Sequence, residues 1–310
     1  MSFGDSISTV GAPRLVATSG GAVEVVVRGQ LDPARAPILY FHGGHESAVT
    51  AAASDLYVDL GHRVVRLSRP GYGGTDVGPL SPSAFAVLVD EVRALLGIEV
   101  FTAVVGTSFG GPQAVEYTGQ YPARVGALIL HSAAPSSLPY PDSPAQRLLG
   151  PVMFHPSVER HLWRAVRLMM RRAPRFGLRT MMPSLSTQPV SSWLPRLDEA
   201  DRQAMRDVFT DMRSGHGFVT DLAHAGADGR RSRLAAQRRV SCPTLVTASR
   251  SDGGVAWAHA EDFAATIARS RLVELPSPSH LFWIGPGRAP LLAAVHDFLA
   301  GPASEPPSRG

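Results

Sequence analysis

Short apolar runs rich in β-branched residues recur along the chain, and Gly, Pro or His bounds the first of them. Runs of this length and composition predict buried strands, whereas several of the stretches between them carry apolar residues at helical spacing. Strands that alternate with helices indicate βαβ crossovers and a mostly parallel sheet. The pattern predicts strands at residues 22–30, 37–41, 63–67, 100–105, 125–130, 243–248 and 271–275, and helices at 46–60, 82–96, 110–121 and 255–267.

This alternation stops near residue 134 and resumes near residue 241. The intervening segment holds no convincing strand, is rich in Arg, Met and Pro, and contains a helical stretch at 157–172. Residues 134–240 are therefore predicted to be a helical cap inserted into an α/β core of residues 1–133 and 241–301. The tail at 302–310 contains three Pro and no apolar run, so it is expected to be disordered.

The composition indicates a globular protein, since 44% of the 310 residues are hydrophobic and 18% are charged. The formal charge is +4, but all 30 basic residues are Arg, whereas a protein selected for phosphate contacts would use both cations, so no nucleic-acid partner is expected. The single cysteine, Cys242, cannot form an internal disulfide. No apolar run reaches the ~18 residues of a membrane span, and the N-terminus lacks the apolar region of a secretory signal. These features predict a cytoplasmic protein with no membrane span.

The most informative motif is Gly106-Thr107-Ser108-Phe109-Gly110, a G-x-S-x-G sequence between a predicted strand and a predicted helix. Glycines are needed on both sides of Ser108 because the chain reverses within a few residues. The turn lifts the Ser108 hydroxyl to a helix N-terminus, where backbone N–H groups favour developing negative charge. An ordinary Gly-rich turn would give the same motif, so the interpretation of Ser108 as a nucleophile depends on other segments.

A second motif, Phe41-His42-Gly43-Gly44-His45, ends an earlier predicted strand. Its glycines can place a backbone N–H opposite Ser108, which together with the Phe109 N–H would form a two-donor oxyanion hole. His42 and His45 also have the H-x-x-H spacing of a metal pair, but no third ligand lies near them in the sequence. No metal is therefore expected.

An acid and a histidine follow two later predicted strands. Asp252 lies just past the strand at 243–248, and His280 lies in the loop after the strand at 271–275. The order nucleophile, acid, base, each at the carboxyl edge of a parallel sheet, predicts a Ser-His-Asp triad. Asp142 is an alternative acid, but it lies ten residues or more past the preceding strand in a Pro-rich stretch, so Asp252 is preferred.

These motifs together resemble those of the α/β-hydrolase fold superfamily, specifically its cap-bearing members with a serine nucleophile. The resemblance spans about residues 20–300 and is carried by FHGGH, RPGYGGT at 69–75, GTSFGG, SRSDGG and SPSH. It implies a central, mostly parallel β-sheet flanked by helices, with a helical cap between the sixth and seventh strands. Relatives commonly have Pro near the positions of Gly253-Gly254, and Pro or another side chain at the position of His45, so the chain departs from the family pattern at both places.

Carried over by position, the resemblance implies one role for each motif residue: Ser108 is the nucleophile, His280 the general base, Asp252 its orienting acid, and Gly44 and Phe109 the oxyanion donors. It implies a serine hydrolase that cleaves an ester, lactone or thioester of a small to medium apolar molecule, with no metal or organic cofactor. A C–C bond hydrolase of the β-diketone type, and a ligand-binding protein of this fold with little turnover, stay open as alternatives. The oligomeric state also stays open.

Four further side chains are expected to line the substrate pocket. His42 belongs to the glycine motif, His131 follows the strand at 125–130, and Trp163 and Met169 belong to the predicted cap helix. Met and aromatic residues favour an apolar, adaptable pocket. Residues 160–179 contain seven Arg and no acid, and a solvated outer face of the cap, with Trp163, Leu168 and Met169 turned towards the cleft, is favoured over an anion-binding surface.

Overall fold

A computed structural model describes residues 11–29, 35–141 and 156–301. The described strands are β1 (Arg14–Thr18), β2 (Gly21–Arg28), β3 (Ile38–Phe41), β4 (Val64–Leu67), β5 (Ala103–Thr107), β6 (Leu128–His131), β7 (Thr244–Ala248) and β8 (Ser270–Glu274). They form one sheet in the order β1-β2-β4-β3-β5-β6-β7-β8. β2 pairs antiparallel with β1 and β4, and every other neighbouring pair is parallel. The predicted α/β fold with a mostly parallel sheet is confirmed.

Helices cover the sheet and make up most of residues 156–240 in the long connection between β6 and β7. The α-helices are α1 (Asp55–Asp59), α2 (Pro82–Leu95), α3 (Gly111–Gln120), α4 (Pro156–Arg172), α5 (Pro174–Met181), α6 (Val190–Trp193), α7 (Glu199–Asp211), α8 (Gly217–Ala225), α9 (Arg230–Arg239), α10 (Trp257–Thr266) and α11 (Arg288–Ala300). Residues 156–240 contain α4 to α9 and no strand. In the part of the chain that the structure describes, no helix combines the length and apolarity needed to cross a bilayer.

The central strands are buried on both faces, and alternate residues enter two hydrophobic clusters. In β3, Ile38 and Tyr40 pack in one cluster, whereas Leu39 and Phe41 pack in the other. The first cluster contains side chains of α1, α11 and the β6–β7 connection, and the second contains side chains of α2, α3 and α10. Burial on both faces explains the near-continuous apolar runs of the sequence.

The predicted helix at 46–60 is wrong over its first half. Helical structure begins with a 3-10 turn at Ala52–Ser54 and continues as the short α1. The Ser47 N–H donates to Thr50 Oγ1 at 2.9 Å, and the Ala48 N–H donates to Ser68 Oγ at 2.8 Å. These side-chain acceptors take the N–H groups that a helix would bond to its own carbonyls. The Ala-rich composition alone does not reveal this competition.

Candidate active site

Ser108 lies at a sharp turn between β5 and α3, in a 3-10 turn at Ser108–Gly110. Its φ of 50° is in the left-handed region, which costs a non-glycine residue energy. The turn packs against the end of β3 so closely that a Cβ on Gly110 would lie 2.2 Å from the Phe41 carbonyl oxygen. Glycine is therefore required at the second Gly of the G-x-S-x-G motif, and the surrounding packing holds Ser108 in its strained conformation.

His280 and Asp252 form a hydrogen-bonded pair although 28 positions separate them in the chain. The His280 Nδ1 lies 2.8 Å from Asp252 Oδ2, and the other carboxylate oxygen accepts the N–H groups of Gly254 and Val255, each at 2.8 Å. Burial alone would lower the pKa of His280, but the Asp252 carboxylate and its hydrogen bond raise that pKa above 6.5. This carboxylate thus holds the imidazole by one ring nitrogen and leaves Nε2 on the other side of the ring.

One pocket of about 120 Å³ gathers most of the predicted site. Ser108, Gly44, Phe109 and His280 all line it, and Asp252 lies directly behind His280. The other lining residues are Gly43, His45, Glu46, Thr107, Tyr140, Leu185, Val208, Met212, Phe218, Gly254, Leu281 and Trp283. The alternative acid, Asp142, lies outside the described residues, as does the tail at 302–310.

The backbone N–H groups beside Ser108 differ in their hydrogen bonds. The Gly43 N–H donates to Glu46 Oε2 at 3.0 Å, whereas the Gly44 N–H has no acceptor within the described ranges. Phe109 lies in the first turn of its 3-10 segment, where an N–H lacks an intrahelical acceptor. The two residues are close in space, since a Cβ on Gly44 would lie 3.4 Å from Phe109 Cδ2. Both residues thus line the pocket beside Ser108, and neither N–H has an acceptor within the described ranges.

His42 lies outside the pocket lining, behind the loop at residues 43–45, which we call the glycine loop. Its Nε2 accepts the Arg69 N–H at 3.1 Å, and its Nδ1 lies 2.7 Å from the Gly43 carbonyl oxygen, which fixes the Nδ1–H tautomer. Burial and the neighbouring Arg69 charge lower the pKa of His42 well below 6.5. His42 is therefore neutral, and its ring stabilises the glycine loop through the Gly43 carbonyl rather than lining the pocket.

Arg69 is fully buried and holds the same loop through its side chain. The guanidinium donates to the carbonyl oxygens of His42 and Gly43 at 3.0 and 2.9 Å and to the Asp221 carboxylate at 2.5 Å. Burial alone would lower the pKa of Arg69, but Asp221 raises it. The buried ion pair of Arg69 with Asp221 of α8 thus stabilises the glycine loop. The sequence did not predict this pair, although Arg69 is the first residue of the RPGYGGT motif.

The structure places His131, Trp163 and Met169 outside the pocket lining as well. His131 is fully buried, with Tyr57 Oη and Thr247 Oγ1 each at 2.7 Å from a ring nitrogen, and burial lowers its pKa to about 3. Trp163 is buried behind His45 and donates its Nε1–H to Ser214 at 2.8 Å. Met169 packs against the first hydrophobic cluster, the one that also contains Ile38 and Tyr40 of β3. His131 and Trp163 thus form hydrogen bonds with residues other than Ser108, and Met169 makes apolar contacts outside the pocket lining.

The Arg-rich segment faces solvent, with six of the seven Arg of residues 160–179 exposed. Leu168 is also exposed, at 53%, and does not turn towards the cleft as expected. The buried face of α4 instead carries Trp163, Val166 and Met170. Spacing of three and four residues selects these positions, whereas Leu168 falls on the opposite side of the helix.

His45 lines the pocket but is held by its neighbours. Its φ is 64°, its Nδ1 lies 2.7 Å from Ser214 Oγ, and its ring centroid lies 4.0 Å from that of Phe218. Burial and the Arg69 charge lower its pKa to about 3, so the imidazole is neutral at pH 7. Among residues 11–29, 35–141 and 156–301, no three His, Cys, Asp or Glu side chains are grouped so that they could hold a metal ion.

Glu46 is a pocket residue that sequence analysis missed, although it directly follows the H-G-G-H motif. Its carboxylate accepts the Gly43 N–H and lines the pocket with Ser108 and His280. Burial raises the pKa of Glu46 to about 7, even though the Gly43 hydrogen bond and His280 oppose that rise. The pocket lining therefore contains a carboxyl group, in addition to Asp252 behind His280, whose pKa lies close to neutral pH.

Replacing Glu46 with Gln is expected to stabilise the protein at pH 8 but not at pH 5. A folded-state pKa of about 7 against an ordinary value of 4.5 means that the folded protein binds the proton more tightly, so wild-type stability falls as pH rises through that window. The full shift corresponds to roughly 3 kcal/mol, which partial solvent contact reduces to about 1–2 kcal/mol. Urea unfolding of both proteins from pH 5 to pH 8 measures the difference, with exposed Glu274→Gln as control; a difference that stays constant with pH would contradict the assignment.

A short segment of the β6–β7 connection, Leu185–Ser186, ties the acid and base loops together. The Leu185 carbonyl accepts the N–H groups of His280 and Gly253 at 2.8 and 3.1 Å, and Ser186 Oγ donates to Pro278 O at 2.6 Å. A Cβ on Gly253 would lie 2.6 Å from the Ser186 nitrogen. This close approach explains why residue 253 is Gly, since a side chain there would collide with the backbone of Ser186.

Known proteins share this fold and sequence pattern. The family model described as alpha/beta hydrolase fold matches residues 36–285. The Bacillus subtilis (strain 168) protein named "Uncharacterized hydrolase YcgS" is 31% identical over 285 residues, covering 90% of this chain and 95% of its own. Among solved structures, an alpha/beta hydrolase fold protein from Nakamurella multipartita matches with a TM-score of 0.70 and 23% identity, covering 93% of this chain and 99% of its own. The enol-lactonase from Burkholderia xenovorans LB400 matches with a TM-score of 0.68 and 20% identity, covering 93% and 100%.

Proposed function

Because the chain belongs to the alpha/beta hydrolase fold family, we propose that it is a serine hydrolase that cleaves an ester, lactone or thioester through an acyl-enzyme on Ser108. One observation carries the proposal: Ser108, at its strained turn, lines the same pocket as His280, and His280 is hydrogen-bonded to Asp252 behind it. One structural neighbour is an enol-lactonase, which agrees with an ester-type substrate. A lactone is a cyclic ester, so the same attack on a carbonyl serves both substrates.

Each pocket group has one task in this reaction. His280 Nε2 takes the Ser108 proton as the hydroxyl attacks the carbonyl carbon, and Asp252 stabilises the imidazolium that forms. The N–H groups of Gly44 and Phe109 donate to the carbonyl oxygen as it becomes an oxyanion. The imidazolium gives its proton to the leaving alcohol or thiol. His280 then takes a proton from water as that water attacks the acyl carbon, and it passes this proton to Ser108 Oγ when the bond between Oγ and the acyl carbon breaks and the acid leaves.

The pocket walls favour a small, uncharged and apolar group next to the reacting carbonyl. Apolar side chains dominate the lining, and a volume of about 120 Å³ leaves room for a short acyl or ring moiety. Tyr140, Leu185, Val208, Met212 and Phe218 all come from the segment at 134–240. We therefore assign that segment the role of a cap that selects the substrate.

Active-site labelling and turnover together test the proposed function. A fluorophosphonate should attach to Ser108, identified by mass spectrometry of the labelled peptide, and p-nitrophenyl acetate and butyrate should be hydrolysed until the label is added. Absence of labelling and of turnover across a panel of esters and lactones would overturn the proposal. Cleavage of 1,3-diketones without ester turnover would replace it with C–C bond hydrolysis.

Trimming Met212 to Ala is expected to change substrate preference rather than abolish activity. The Met212 side chain lines the pocket, so its removal should raise kcat/KM for p-nitrophenyl butyrate relative to acetate by roughly tenfold or more. Met169→Ala is the matched control, since Met169 belongs to the same segment but does not line the pocket. Equal changes on both esters in Met212→Ala would mean that this residue only maintains the cap.

A further inference from the structure

The glycine loop at residues 43–45 is held by hydrogen bonds to its carbonyl oxygens. The Gly43 carbonyl accepts two donors, Arg69 Nη2 at 2.9 Å and His42 Nδ1 at 2.7 Å. Neither Arg69 nor His42 lines the pocket that contains Ser108. Both lone pairs of this carbonyl oxygen are thus occupied by side chains outside the pocket lining.

The direction of this carbonyl determines the direction of the Gly44 N–H. The two groups belong to one peptide unit, which is planar and trans, so they point to opposite sides of the chain. Gly44 lines the pocket with Ser108, and its N–H donates to no acceptor among the residues that the structure describes. A carbonyl fixed towards Arg69 and His42 therefore aims the Gly44 N–H to the other side of the loop, as an oxyanion donor requires.

Arg69 is itself fixed by the Asp221 carboxylate. Its Nη1 donates to Asp221 Oδ1 at 2.5 Å, and Tyr72 Oη donates to Asp221 Oδ2 at 2.6 Å. The Arg69 side chain is fully buried, and the Asp221 side chain is only 8% exposed. A guanidinium buried at this depth without its carboxylate would be costly, so the placement of Arg69 depends on Asp221.

Asp221 comes from α8, in the segment at 134–240 that we propose as a cap. A second residue of this segment contacts the glycine loop directly, since the Arg213 N–H donates to the His45 carbonyl at 2.8 Å. The segment therefore restrains the glycine loop at two points, once through Arg213 and once through the ion pair of Asp221.

We propose that Asp221 is a positioning residue for the oxyanion hole. Through Arg69 it fixes the Gly43 carbonyl, and the same peptide unit then directs the Gly44 N–H at the reacting carbonyl oxygen. This inference rests on the proposed serine hydrolase function. It gives the cap a part in the chemical step, because Asp221 acts on the oxyanion without touching the substrate.

The test compares propyl trifluoromethyl ketone with the alcohol obtained by its reduction, both as inhibitors of p-nitrophenyl butyrate hydrolysis. Ser108 Oγ adds to the ketone carbon, its proton passes to His280, and the ketone oxygen becomes an oxyanion, whereas the alcohol has no carbonyl and measures binding alone. In Asp221→Asn the ketone Ki should rise, and kcat/KM should fall, by a similar factor of roughly 10- to 100-fold, since loss of a whole oxyanion donor costs ~10²–10³-fold. The alcohol Ki should hardly change.

Glu116→Gln is the matched control. The Glu116 side chain is also nearly buried, at 9% exposure, and it binds Arg239 of α9 at 2.7 Å. Its replacement therefore also breaks an ion pair between the core and the segment at 134–240. Neither Glu116 nor Arg239 lines the pocket that contains Ser108, so both Ki values should match those of wild type.

Tyr72→Phe provides a second, milder variant if Asp221→Asn does not fold. It removes only the 2.6 Å hydrogen bond to Asp221 and should raise the ketone Ki by roughly threefold to tenfold. An unchanged ketone Ki in the variants, or equal changes in the ketone and alcohol Ki, would overturn the positioning role. A wild-type protein that neither hydrolyses esters nor binds the ketone more tightly than the alcohol would overturn the proposed function, whereas an active wild type with unaffected variants would overturn this inference alone.

Discussion

Replacing Ser108 with Ala is expected to lower kcat for ester hydrolysis by at least ~10³-fold while the protein keeps its fold. The residual rate would come from the oxyanion donors and from substrate binding alone. Alanine has no nucleophile but tolerates the φ of 50° about as well as serine does, so the turn itself should persist. Steady-state kinetics with p-nitrophenyl butyrate measure the loss, and thermal unfolding checks the fold.

Ser132→Ala is a closely matched control for this experiment. Ser132 is also a buried serine in the left-handed region, with a φ of 41°, and it follows the neighbouring strand β6. Ser132 does not line the pocket that contains Ser108. Near wild-type kcat in Ser132→Ala together with a large loss in Ser108→Ala would separate nucleophile removal from backbone effects, whereas comparable losses in both would contradict the assignment of Ser108.

The parts of the fold predicted from sequence are those set by local pattern. Strands such as β5 and β7 are buried on both faces, and their continuous apolar runs identify them without tertiary information. β1 was not predicted, because its residues alternate between exposed and half-buried and its run is short. The prediction of a helix at 46–60 was wrong over its first half, because backbone N–H groups there donate to the side chains of Thr50 and Ser68, and Ser68 lies in a later segment. Local propensity cannot report such partners.

The residues of the candidate site also fall into those that local pattern predicts and those that it does not. Ser108, Asp252 and His280 could be selected because each follows a predicted strand, and strand ends of a parallel sheet converge. The partners behind them depend on contacts across the chain: Arg69 and Asp221 are 152 positions apart, and no spacing rule joins them. The prediction of the pocket-lining residues was wrong for a related reason. Helical periodicity identifies the buried face of α4, but it does not show whether that face contacts the pocket or the protein interior. Met212 and Phe218 occupy the positions that Trp163 and Met169 were expected to fill.

Replacing Asp252 with Asn is expected to lower kcat by about 10⁴-fold through the tautomer of His280. One oxygen of Asp252 accepts two N–H groups, from Gly254 and Val255, while the other meets His280 Nδ1. An amide keeps the first pair of bonds only if its oxygen faces those N–H groups, which turns its NH₂ towards Nδ1. Nδ1 must then accept, so the imidazole proton moves to Nε2, and Nε2 can no longer take the Ser108 proton.

Kinetics and ¹⁵N NMR of the His280 ring test this tautomer argument together. In wild type at a pH where His280 is neutral, the ring proton should be on Nδ1, and in Asp252→Asn it should be on Nε2. Glu46→Gln is the matched control: it also removes a carboxylate that acts on His280, but it leaves the Nδ1 hydrogen bond to Asp252, so the wild-type tautomer and most of the activity should remain. Activity of Asp252→Asn within tenfold of wild type, or a large loss in Asp142→Asn instead, would show that another residue orients His280.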